Sequence, residues 1–176
     1  MKIIEYKLET PRLTLRELTQ SDYPALAAIL QDEPTMYAYN GAFNGDETKA
    51  WLDTQIQRYH EDGFGLWAVI LKENGLMIGQ AGLSWQNVDS ERVPEIGYLF
   101  NHTYWSKGYA TEAARACKEY AFENLSLNEV YSIIRDTNIP SINVAIRNGM
   151  LVRRRFIKYY RGVNMPHFLF SIRKED

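Results

Sequence analysis

Glu95-Ile-Gly-Tyr-Leu-Phe100, a short link, and then Trp105-Ser-Lys-Gly-Tyr-Ala-Thr-Glu-Ala-Ala114 decide how this chain reads. The first segment belongs to a predicted strand, Val93–Phe100, and the second opens a long predicted helix from about Gly108 to Asn124. The first turn of that helix holds Gly108, Ala110 and Thr111, side chains small enough for backbone N–H groups to approach an anion. The helix dipole favours negative charge there, and Lys107 adds a positive one. Chemically this helix start, with Tyr109 between Gly108 and Ala110, is a pyrophosphate cradle. The Gly-x-x-x-x-Gly-Lys-Ser/Thr spacing of a P-loop is absent, as is Gly-x-Gly-x-x-Gly of a dinucleotide fold. The structural alternative is a glycine that only eases a helix start.

Working outward, the long helix carries Ala110, Ala113, Ala114, Cys117 and Ala121 on one stripe, which lets it approach a sheet closely. Upstream lie strands at Leu66–Lys72 and Leu76–Trp85, with Asn74-Gly75 as a hairpin signal between them. Before them, Arg12–Glu17 reads as an opening strand, and Ser21-Asp22 caps a helix containing Leu26, Ile29 and Leu30. Residues 32–46 form an aromatic and glycine-rich loop, and a second helix follows from Asp46 to about His60. Downstream come a strand at Glu129–Arg135, a short helix at Pro140–Asn148 closed by Gly149, and strands at Leu151–Arg161 and His167–Arg173 across a Gly162-Val-Asn164 turn. This order implies an α/β (α+β) unit with a mixed sheet and helices on both faces, spanning residues 1–176 as one domain. No repeat, linker or low-complexity tract interrupts it.

Composition narrows the function. The 176 residues are 45% hydrophobic and 24% charged, the balance of a folded domain. Twenty basic against 22 acidic residues leave a formal charge of -2, which argues against a nucleic-acid coat or a polybasic membrane anchor. The lone Cys117 rules out an intrachain disulfide and reads as a packed thiol. His60, His102 and His167 are too scattered for a zinc site, so no metal is expected. Charge interrupts the apolar residues between Met1 and Thr10, unlike a signal peptide, and Trp67–Leu71 is far too short to span a membrane. A cytoplasmic protein, monomeric or homodimeric, is the expectation. Twelve tyrosines and four tryptophans are the one unusual feature, and such aromatics line ligand clefts as well as cores.

At the Trp105–Ala114 segment the chain resembles the GNAT superfamily of acyl-CoA N-acyltransferases, whose signature there is Arg/Gln-x-x-Gly-x-Gly/Ala. Gly108 and Ala110 match it, whereas Trp105 stands where Arg or Gln is usual. Tryptophan followed by Gly-Tyr-Ala-Thr-Glu-Ala looks like the Rim-type branch that includes ribosomal-protein N-terminal acetyltransferases. Thr10-Pro-Arg-Leu-Thr-Leu-Arg16, Ile78-Gly79, Gly82-Leu83, and Asn138-Ile-Pro-Ser141 with Asn148-Gly149-Met150 extend the resemblance over nearly the whole chain.

The resemblance implies acetyl-CoA as cosubstrate, threaded between splayed parallel strands at Val93–Phe100 and Glu129–Arg135. Its pantetheine arm would pair with backbone near Tyr98, Leu99 and Phe100, its pyrophosphate would rest on the amides of Ser106 to Thr111, and Asn138 would hold a pantetheine amide. Transfer to an amine needs a base, because an α-amine titrates near ~8 and a lysine amine near ~10.4. Glu95 is the first choice, directly or through water, and a solvated carboxylate is its structural alternative. A strand amide at Tyr98 or Leu99 would stabilise the oxyanion. Ala145 occupies the place of the family's usual tyrosine acid, so Ser141 is assigned as hydrogen-bond donor or water relay to the departing thiolate. Tyr37, Tyr39 and Phe43 with Trp85 are candidates for the acceptor pocket. Arg153, Arg154, Arg155, Lys158 and Arg161 form a basic run that is either a solvated face or a patch for an acidic partner or the CoA 3'-phosphate; alternation puts Arg153 and Arg155 on one face and Arg154 and Lys158 on the other. Pro166 stands where the Rim-type branch commonly has an Asp that contacts the acceptor. The expected activity is direct acetyl transfer to a primary amine, a protein N-terminus or a small molecule such as a polyamine, amino acid or aminoglycoside-like compound. A non-catalytic acyl-CoA-binding module is the alternative from another class.

Overall fold

The computed structural model describes residues 5–176. The reading of Met1–Ile4 as free of a targeting signal lies outside the described residues. Twelve regular elements follow in order: β1 (Tyr6–Glu9), β2 (Leu13–Arg16), α1 (Tyr23–Leu30), α2 (Gly45–Glu61), β3 (Leu66–Leu71), β4 (Met77–Val88), β5 (Glu91–Phe100), α3 (Tyr109–Glu123), β6 (Glu129–Arg135), α4 (Ile139–Arg147), β7 (Leu151–Tyr160) and β8 (Val163–Arg173). The strands form one mixed sheet in the order β1-β2-β3-β4-β5-β6-β8-β7. The mixed α/β architecture expected from the element order is the one observed. No helix among the described residues is long and apolar enough to cross a membrane.

Three boundaries differ from the sequence reading, each for a local reason. Strand β1 was not expected, because charge alternates with its apolar residues; it is an edge strand that pairs only with β2. Strands β4 and β5 run on to Val88 and Glu91, so they meet across a two-residue turn in which Asp89 takes a positive φ of 54°. Strands β7 and β8 turn at Arg161-Gly162, both with positive φ, which leaves Val163 and Asn164 inside β8. Two left-handed residues in succession match the right-handed twist of the flanking strands.

Cross-strand register assigns the two faces. Glu95 lies beside Ser84 on β4 and Tyr131 on β6, and this face is covered by α1 and α2. Trp51 of α2 donates its indole N–H to Gln80 of β4 on that side at 3.0 Å. The opposite face, with Ile96 and Tyr98, is covered by α3 and α4. Ala113, Ala114, Cys117 and Ala121 of α3 are wholly buried against it, as their spacing predicts. Desolvation lifts the Cys117 thiol to about 12, so it is a packed core group.

Gly82 sits where β3 and β4 approach most closely. A Cβ there would lie 2.0 Å from the Gly65 carbonyl oxygen and 2.9 Å from the Leu66 Cα, backbone atoms that cannot swing aside. We predict that Gly82→Ala lowers the urea unfolding free energy by about 1–3 kcal/mol, the range for overpacking a core.

Candidate active site

Strands β5 and β6 are held in parallel register by one pair, Glu95 with Tyr131, and diverge beyond it. At the fork the Ser132 hydroxyl donates to the Ile96 carbonyl at 2.9 Å, so Ile96 faces β6. Backbone groups alternate along a strand, and Tyr98 and Phe100 therefore also present theirs to the gap. Trp105 donates its indole N–H to the Phe100 carbonyl at 2.8 Å, which confirms that direction. Leu99 points its backbone the other way, into the ladder with Gln80 of β4. Its side chain lines the cavity, but its amide is committed to the sheet.

Beyond the gap, Ser106 and Gly108 take positive φ values of 62° and 82°, with Gly108 as the left-handed residue that opens α3. Such a turn ahead of a helix points successive amides into one concavity. Among the described residues none of the amides from Ser106 to Thr111 donates a hydrogen bond. Arg12 braces this loop. Its guanidinium donates to the Lys107 carbonyl at 2.9 Å and to Glu112 at 2.7 Å, and stacks 4.5 Å from the Tyr109 ring centroid. Trp105 and Arg12 together hold the loop in which the matching family motif carries Arg or Gln. Sequence reasoning missed Arg12 as part of the site; its place in Thr10–Arg16 shows nothing of a contact 100 residues away. The Lys107 ammonium lies 5.6 Å from the Tyr104 ring centroid and does not line the cavity.

A cavity of about 1330 Å³ passes through the fork and reaches both faces of the sheet. On the α3–α4 side it is lined by Tyr98, Phe100, the Ser106 and Gly108–Thr111 cradle, Asn138 and Ser141. Asn138 caps α4 by accepting from the Ser141 amide at 3.3 Å, and also accepts from the Tyr37 hydroxyl at 2.8 Å. Its side-chain NH₂ stays available on the cavity wall. The Tyr98 hydroxyl donates to the Ser141 carbonyl at 2.7 Å, and burial pushes that phenol above its ordinary range. This tie between β5 and α4 was not visible in the sequence.

On the α2 side the cavity is lined by Glu95, Tyr39, Trp51, Gln55, Arg58 and, from the last hairpin, Lys158, Tyr160 and His167. Burial pushes the Glu95 carboxyl up, against the opposing pull of Lys158, of the Ile133 amide 3.3 Å away, and of Arg58. Burial likewise raises Tyr39. It lowers His167, whose Nδ1 lies 2.9 Å from the Met165 carbonyl; a carbonyl only accepts, so Nδ1 carries the proton.

Phe43 and Trp85 are not brought to this chamber. Phe43 is buried beneath Arg161 with Tyr39 and Trp51. Trp85 is one residue out of phase with Ser84 and Gln86, so it faces away and packs between Phe64 and Arg92. The basic run divides as well. A bulge sets Arg153 aside to bond Ser171 at 2.7 Å, Arg154 meets Asp89 at 3.2 Å, Arg155 meets Asp136 at 3.1 Å, and Arg161 meets Glu47 at 3.3 Å. Only Lys158 of that run lines the cavity. Pro166, inside β8, accepts from the Asp136 amide at 3.0 Å.

Comparison with known proteins accords with this geometry. The profile of a family described as "Acetyltransferase (GNAT) domain" matches residues 12–151. YkkB of Bacillus subtilis is 34% identical over 91% of this chain and 91% of its own length. The N-acetyltransferase YnaD of the same organism is 32% identical over 81% of each chain. A solved structure of RimL, a ribosomal L7/L12 alpha-N-protein acetyltransferase in complex with coenzyme A, superposes with a TM-score of 0.77 over 96% of this chain and 98% of that one, at 18% identity. At that identity the likeness is one of fold.

The Glu112 contacts predict a pH dependence. Burial would raise its carboxyl, but bonds from the Thr10 hydroxyl at 2.6 Å, the Arg12 amide at 2.9 Å and the Arg12 guanidinium outweigh that and hold it below the usual range. A depressed carboxyl contributes stability above its unfolded pKa of about 4.3 and loses it as pH falls through the folded value. Glu112→Gln should therefore cost stability near pH ~7 and progressively less toward pH ~3 in urea unfolding; a constant difference is the contrary result.

Proposed function

The chain belongs to the GNAT acetyltransferase family and is an acyltransferase; from that premise we propose that it transfers the acetyl group of acetyl-CoA directly to a primary amine in a ternary complex. The observation that carries the reading is the fork. One gap in the sheet joins free cradle amides on one side to a half-buried carboxylate, Glu95, on the other. The cosubstrate and the acceptor can thus approach the reacting carbon from opposite faces.

In this reading the amides from Ser106 to Thr111 take the pyrophosphate, as the positive φ values and the absence of internal acceptors support. The pantetheine arm pairs with β5 through Tyr98 and Phe100, and the Asn138 NH₂ donates to one of its carbonyls. Leu99 contributes side-chain contact. Glu95, directly or through water, takes a proton from the amine as the nitrogen forms its bond to the thioester carbon. Of the two amides considered for the oxyanion, that of Tyr98 faces the gap and is the one assigned. Collapse of the tetrahedral intermediate breaks the carbon–sulfur bond. Ser141 hydrogen-bonds the departing thiolate, which leaves as coenzyme A after taking a proton by way of water. Tyr37 and Tyr39 border the acceptor. The protein acts as one domain in the cytoplasm, as monomer or homodimer. Its acceptor is a small molecule or a protein N-terminus.

Acetyl-CoA at a hundred times its Kd should stabilise the protein by about 2.7 kcal/mol in a thermal-shift assay. Glu95→Gln should lower kcat by about a hundredfold or more. Because the base must be ionised and burial raises Glu95, the wild-type kcat should climb with pH through an apparent pKa above the ordinary carboxylate range. Loss of neither rate nor profile in Glu95→Gln would remove Glu95 from the mechanism.

A further inference from the structure

The acceptor side of the cavity has an imbalance of charge that points to a substrate class. Two cations line it, one from α2 and one from β7. Arg58 stands on the α2 face that also carries Trp51, Thr54 and Gln55, one helical stripe lining the cavity. Lys158 comes from β7, where it and Tyr160 are half-buried and turned inward while Ile157 and Tyr159 are 55% and 72% exposed. Among the described residues neither cation has a carboxylate within 4.0 Å; the nearest polar partner of Arg58 is the Gln55 amide oxygen at 3.4 Å. A third, Arg135, donates to the Tyr37 carbonyl at 3.2 Å at the edge of the same side. Facing them is a single carboxyl, Glu95, and His167, whose imidazole pKa is lowered by burial, lines the same cavity.

This arrangement is unlike the rest of the basic run. The other members of the basic run, Arg153, Arg154, Arg155 and Arg161, are all satisfied by carboxylates or hydroxyls. Lys158, one strand position in phase with the chamber, is the exception. Two half-buried cations against one carboxyl leave a net positive field that favours an anionic guest and repels a polycation.

We propose, on the reading that this site acetylates a primary amine, that the acceptor carries a carboxylate or phosphate group a few bonds from the amine, held by Arg58 and Lys158 while the amine sits at Glu95. Arginine supplies a planar fork for two oxygens and lysine a point charge. Tyr39 packs edge-on against Trp51 and Tyr160, and all three line the same cavity. Polyamines and aminoglycoside-like amines are disfavoured by the same field. An amino-acid-like or aminophosphate small molecule and a peptide N-terminus followed by an acidic side chain share this chemistry.

The test is thiol release from saturating acetyl-CoA with amines paired to differ only in the anion: β-alanine against β-alaninamide, phosphoethanolamine against ethanolamine, and a peptide with an acidic second residue against its amide counterpart, with spermidine as the polycation. The anionic member of a pair should show kcat/KM about tenfold higher or more, a difference that falls toward parity in Arg58→Gln and Lys158→Gln through KM for the amine, with KM for acetyl-CoA unchanged. The small-molecule and peptide pairs separate the two sources. Preference for the neutral member or for spermidine, or an anionic preference that both variants retain, overturns the proposal. Each variant must keep the acetyl-CoA thermal shift, which shows it folded. If acetyl-CoA stabilises the protein but no amine is acetylated, the catalytic reading has failed and binding decides: β-alanine and phosphoethanolamine should stabilise the wild type and not the double variant, and equal shifts overturn the proposal.

Discussion

The single parallel bridge between Glu95 and Tyr131 governs the molecule. Eight strands share one sheet, and at every junction but this one the neighbours are antiparallel and joined by three or more residue pairs. A parallel pair needs a crossover, here α3, and the helix start that begins this crossover carries the free amides. Divergence after one pair leaves the Tyr98 and Phe100 backbone without a strand partner. Unpaired backbone inside a fold is costly, so the structure covers part of it locally, with Ser132 on Ile96 and Trp105 on Phe100. What remains uncovered is a slot suited to an extended ligand with amide groups of its own.

The sheet also separates two chemistries. Its α3–α4 side is built of small residues, a helix N-terminus and capping polar groups, suited to a phosphate-bearing cosubstrate. Its α2 side holds a half-buried carboxylate between cations and aromatics. Because Glu95 and Tyr98 are three residues apart on one strand, they fall on opposite faces yet border the same opening. That placement lets groups on both faces of one strand reach the same opening without competing for the same space.

Much of this was legible in the chain. The stripe Ala113, Ala114, Cys117 and Ala121 and the strand periods locate the elements within a few residues. Trp105–Ala114 marks the cradle, because a glycine-led helix start after a strand is a local feature. Legibility failed where partners come from afar. Lys107 looked like a cradle cation but turns to Tyr104, and Trp85 looked like a pocket aromatic but is one residue out of phase. Alternation already divided the basic run at Arg153–Arg161 between two faces, but the bulge and the four nearby acceptors that leave only its Lys158 in the chamber come from the tertiary structure.

Local sequence therefore settles the helix start and the alternation that puts Glu95 and Tyr98 on opposite sides, since these depend on backbone conformation and neighbours within a few residues. Tertiary packing alone decides that Arg12 braces the cradle loop, that Tyr98 rather than Leu99 turns its amide to the gap, and that Arg58 and Lys158 line one chamber. These pairings join residues up to 100 positions apart, and their geometry follows from strand register and sheet divergence, which no single segment encodes.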